Sequence, residues 1–134
     1  MSKFEKFLAH GHPVIIIRHL VRMQNHRNIA QALAHEDQNV REIARARLME
    51  ILPPKKLFDL TVALIGNKNE VVSNQGVWLL EYAVSAISRA KISEAKEALP
   101  VLQRLSQGLQ PTSGIGWRLK GKINDAIYRI QTRK

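Results

Sequence analysis

All five histidines of the sequence, His10, His12, His19, His26 and His35, lie between positions 10 and 35, which makes metal binding the first chemistry to weigh. His10 and His12 flank a turn, and a third ligand from His35 or Asp37 at an equivalent turn would complete a three-ligand site. No HExxH pair or comparable His and carboxylate motif accompanies them. An imidazole near the end of a helix has a simpler task, which is to meet carbonyls left unpaired at the negative end of the helix dipole. Capping is therefore expected of His10 and His35, and no metal. The absence of cysteine excludes thiolate nucleophiles, disulfides and cysteine metal sites. Ser85 and Ser88 fall within a helical pattern, with no histidine or acid at a spacing that would activate a hydroxyl. The reading is a protein that is not an enzyme and carries no cofactor.

Positive charge is the stronger signal. Lys and Arg number 21 against 11 Asp and Glu, a formal net charge of +10, which favours an acidic macromolecule, nucleic acid or protein, as partner. Both ends of the chain are basic and the middle is neutral: residues 101 to 134 alone hold seven cations against one acid. On helices, four-residue spacing groups Arg18 with Arg22 and Arg41 with Arg45, while Arg118, Lys122 and Arg129 line part of the last segment. Such rows can follow phosphates, so Arg18, Arg22, Arg41, Arg45, Arg118 and Lys122 are the candidate contacts; a solvated surface is the plain alternative. Trp78 and Tyr82, four apart, are candidates for a protein partner, or else for packing inside the fold. The stretch from Pro111 to Gly116, followed by Trp117 and Arg118, could wrap amides around a phosphate, but it has no preceding strand and no Gly-Lys-Ser/Thr. It reads better as a flexible turn.

These side chains must be carried by helices. A chain of 134 residues with 45% hydrophobic and 24% charged residues suits one domain, spanning 1–134. Val40, Ile43, Ala44, Leu48 and Ile51 recur at steps of three and four, with Asp37 as N-cap and Pro53-Pro54 as terminator. Pro54 suits the first position of the next helix, which runs to about Ile65, with Gly66 offering a left-handed cap. The same logic predicts helices over 3–10, from His12 and Pro13 to about Gln24, from near Asn69 to about Ala90, from a Ser93 cap to Gln107, and from Trp117 onward. A bend is expected at Pro100. The longest aliphatic run, Val14 to Ile17, is too short to cross a bilayer, so a cytoplasmic protein without membrane contact is expected.

Three interhelical turns align on a closing leucine: Leu8 to Val14, Leu33 to Val40, and Leu64 to Val71. Each marks one αα-hairpin, and a hairpin too small to bury its own apolar stripe must stack on its neighbours. A fourth, from Ser93 to Gln131, makes eight helices. Leu33, Asp37, Val40, Arg41, Ala44 and Leu48 resemble the turn and second helix of a HEAT-like repeat of the phycobilin-lyase type. The third turn departs, with Lys68 in place of the aspartate and Val72 in place of the arginine. The resemblance implies an all-α, right-handed α-solenoid of about four stacked hairpins whose even-numbered helices present a binding surface. It also implies that Asp37 and Arg41 are structural, and it offers an adaptor for protein assembly as the alternative to the nucleic-acid docking suggested by the basic residues. Helical-repeat DNA glycosylases are a more distant comparison, to which Trp78, Trp117 and Asp125 give no recognisable motif.

Overall fold

A computed structural model of the chain describes residues 2–108 and 114–133. Among the described residues there are eight α-helices and no strand: α1 (Lys3–His10), α2 (Pro13–Leu20), α3 (His26–Gln31), α4 (Gln38–Ile51), α5 (Pro54–Ile65), α6 (Glu70–Ser88), α7 (Ile92–Gly108) and α8 (Gly114–Thr132). A 3-10 turn, Ala32–Ala34, tightens the end of α3. No helix among the described residues is long and apolar enough to cross a membrane.

The helices start where a side chain can take up the otherwise unpaired N–H groups of a first turn. The carboxylate of Asp37 accepts from Asn39 and Val40, and the Asn69 amide oxygen accepts from Val71 and Val72. Asn25 does the same for α3, and His12, through Nδ1, for α2. Pro54 opens α5 from its first turn, as its fixed φ dictates.

Several boundaries differ from those the sequence suggested. Helix α2 stops at Leu20 and not Gln24, because Arg22 and Met23 donate three residues back, to His19 and Leu20, and wind the chain out of the α-helix. Gly66 closes α5 at φ −79°, not in the left-handed region, its N–H bonded to the Val62 and Leu64 carbonyls. Ser93 is not a cap: α7 begins one residue earlier, and the Lys91 carbonyl accepts from Ala95. Helix α7 continues across Pro100, which lies inside it. Gly114 and Gly116 belong to α8, while positions 111–113 of the proposed phosphate loop lie outside the described residues.

The turns before α4 and α6 follow one hydrogen-bond plan, which sets the two turns in correspondence. Asp37 corresponds to Asn69, so Lys68 is not the equivalent of the aspartate. Buried Val40 then matches half-buried Val72, while Val71 is 41% exposed and leaves the core position it was expected to fill. Four residues past the cap, Arg41 Nη1 donates to the His35 and Glu36 carbonyls, and Ser73 Oγ donates to the Ile65 carbonyl. Both side chains close the end of the preceding helix. The same offset pairs Ala44 with Gly76 and Leu48 with Leu80, all buried.

Burial explains the small residues. A Cβ on Gly76 would come within 2.8 Å of Ile65 Cγ1 and of its backbone nitrogen, so only glycine lets α6 lie this close to α5. Helix α5 packs along α6 and α7 along α8, while α2, α4, α6 and α8 follow one another in contact as a row. Two apolar clusters result. One holds Ile16, Leu20, Ile29, Leu33, Val40 and Leu48, walled by Leu64 and Leu79. The other holds Leu57, Phe58, Leu80, Ile87, Leu102, Ile123 and Ile130. Met49 and Leu52 touch both.

Candidate functional site

The row of even-numbered helices leaves a groove of about 440 Å³ between α6 and α8. Helix α6 turns Leu79, Leu80, Ala83 and Val84 inward, so the intervening positions, Trp78, Tyr82 and Ser85, face the groove. Helix α8 turns Ile123, Ala126 and Ile130 toward the core and places Lys122, Asp125 and Arg129 along the opposite wall. A hollow of about 300 Å³ adjoins it, sharing Trp78 and Glu81 and bounded by Asn74 and Arg118. Trp78 is 69% exposed and Tyr82 45%, so neither packs between helices, the alternative the sequence left open.

Arg45 reaches this face from α4. Its Nη1 donates to Oε1 of the buried Gln75, and its guanidinium carbon lies 5.3 Å from the centre of the Trp78 ring, a cation–π distance. Loss of hydration on burial pushes the Arg45 guanidinium below its ordinary value; Glu42 counteracts this and Arg41 adds to it. It stays charged, since arginine holds its proton far above any physiological pH. At the far end Arg118 Nη2 donates to Glu81 Oε1 at 3.0 Å and ties α8 to α6.

The six cations singled out from the sequence thus separate. Lys122 lies in the groove, exposed and with no partner among the described residues. Arg118 stays 69% exposed but is paired, and Arg45 is half-buried against Trp78. Arg41 is occupied by the two carbonyls of its turn. It makes no ion pair with Asp37, whose carboxylate is spent on the first turn of α4. Arg18 and Arg22 are exposed, but Arg22 lies beyond the end of α2, so the two do not form a row on one helical face.

The histidines divide likewise. No group of three potential ligands gathers among the described residues. His35 caps a carboxyl end, though of a different helix than expected: its ring nitrogen Nε2 lies 3.0 Å from the Leu8 carbonyl of α1, while Nδ1 accepts from the Asp37 N–H. That pattern requires the tautomer protonated at Nε2. The end of α1 next to His10 is closed by Gly11, whose N–H donates to Phe7.

Sequence reasoning missed Gln75 as the anchor of Arg45 and undervalued Arg129 and Asp125. The signal was present, since Gln75, Trp78, Tyr82 and Ser85 recur at steps of three and four along one line of α6. Comparison of the chain with models of protein families, with curated proteins and with solved structures finds no match.

Proposed function

We propose that the chain is a non-catalytic binding module, a right-handed α-solenoid of four stacked hairpins of HEAT-like type, that docks the phosphate backbone of nucleic acid on its even-numbered helices. The observation that carries this reading is the pair of exposed cations Lys122 and Arg129 in a groove whose walls expose Trp78 and Tyr82, with Arg118, paired to Glu81, and Arg45, held on Trp78, at its edges. Cations beside exposed rings suit a partner that is at once anionic and aromatic. The shared plan of the α4 and α6 turns, and the contact of each even helix with the next, support the stacked-hairpin arrangement.

A salt titration with mixed-sequence DNA tests it. With two to four phosphates neutralised, the logarithm of the binding constant falls with the logarithm of salt at a slope of about 2 to 4. Lys122→Gln with Arg129→Gln, both exposed and without a partner among the described residues, is expected to lower affinity by about tenfold at low salt with the melting temperature nearly unchanged. Absence of binding at low salt overturns the reading.

A protein adaptor is the second reading, and the exposure of Val14, Ile15 and Val21, each about half open to solvent, favours it. A partner held there would bind with little dependence on salt. Release of a free base from alkylated DNA would replace both readings with the glycosylase comparison, since Trp78 and Asp125 line the same groove.

A further inference from the structure

We infer that the α6/α8 groove seats an unpaired nucleobase, so that the module selects single-stranded over double-stranded nucleic acid. This rests on the docking reading above and deepens it.

The groove mixes carboxylates, cations and exposed rings. A site built for phosphate alone would line its walls with cations and amide donors. This groove sets the carboxylates of Glu81 and Asp125 beside Lys122 and Arg129. Glu81 is neutralised by Arg118 at 3.0 Å, whereas Asp125 has no partner among the described residues and is exposed. A free carboxylate repels a phosphate but accepts hydrogen bonds from the amino or imino N–H groups on a base edge. What fits beside it is therefore a neutral, N–H-bearing group, with the anionic linkage displaced toward Lys122 and Arg129.

The rings make the group flat. Trp78, 69% exposed and backed by Arg45 at 5.3 Å, and Tyr82 offer stacking surface at the mouth of the groove. A volume of about 440 Å³ lies within the range of pockets that hold small organic groups. In a duplex the faces of the bases are covered by their neighbours and their pairing edges are occupied. A single strand can turn a base outward to meet both ring and carboxylate.

The test uses the full chain with Trp117→Phe, so that Trp78 is the one remaining tryptophan, and three probes at one low salt concentration: a mixed-sequence single strand, its duplex, and inorganic polyphosphate. The expected result is quenching of Trp78 fluorescence by the single strand and at least about tenfold tighter binding of it than of the duplex, the size of one base stacked on an aromatic ring. Trp78→Ala should lower single-strand affinity by about tenfold and leave polyphosphate binding unchanged. Asp125→Asn, which removes the charge but keeps an acceptor oxygen, should strengthen polyphosphate binding more than single-strand binding and so narrow the difference between them. Equal binding of all three probes, with Trp78→Ala weakening them alike or not at all, overturns the base seat while docking to phosphate survives. Failure of every probe to bind overturns docking itself.

Discussion

His35 joins two turns through one ring. It bonds the Leu8 carbonyl at 3.0 Å and the Asp37 N–H at 3.0 Å, and the Asp37 side chain in turn holds the first turn of α4. His35→Ala leaves a carbonyl and an amide without partners in a half-buried place, so a loss of about 1 to 2 kcal/mol is expected in denaturant unfolding. An unchanged midpoint would show that water replaces the ring at no cost. The sequence made His35 legible as a cap but not the helix it caps. Its choice of Leu8 depends on the end of α1 lying beside the turn before α4, which no local spacing encodes. The groove residues were legible in the same partial way. Lys122, Trp78 and Tyr82 stand out by type, but their meeting depends on how α8 lies against α6. Arg41 and Arg45 share a four-residue spacing, yet one is consumed by a turn and the other by Gln75.

At the scale of elements, the spacing of apolar residues was sufficient to count the helices, because each stripe is bounded by a proline, an asparagine or a short polar turn. Register was harder. Alignment on Leu33 and Leu64 set Lys68 against Asp37, whereas the caps set Asn69 there. The difference is one residue and lies in the turn: His35 and Glu36 separate the end of the 3-10 turn from Asp37, whereas Gly66, Asn67 and Lys68 separate the end of α5 from Asn69. In the corrected register Gly76 occupies the place of Ala44. Gly76→Ala is expected to destabilise by about 1 to 3 kcal/mol, because the added methyl meets backbone and a packed side chain. Stability equal to the parent in thermal unfolding would mean that α5 can slide away freely. The exposed control, Gly121→Ala, has open space around its Cβ and should stabilise the middle of α8 by about 0.5 to 1 kcal/mol.

Across the whole molecule, cohesion falls toward the amino terminus. Helix α1 buries no residue completely and is held by Phe4 and Phe7 against His19, with ring centroids 5.3 Å apart for Phe7 and His19. At the other end Arg133 Nη1 donates to the Ser88 and Ala90 carbonyls and fastens the last turn of α8 to the end of α6. Amide hydrogen exchange should therefore be fastest in α1 and slowest where α6 faces α5 and α8. Equal protection in α1 and α6 would indicate a single all-or-none unit.

The position of Leu64 and Leu79, which belong to α5 and α6 yet wall the first apolar cluster, has a practical corollary. Severed at the Leu52-Pro53 corner, the leading piece would be missing a side of its own interior and could regain it only from the trailing one. Two such fragments, made separately and mixed, would form a split system whose reassembly reports whether its makers meet.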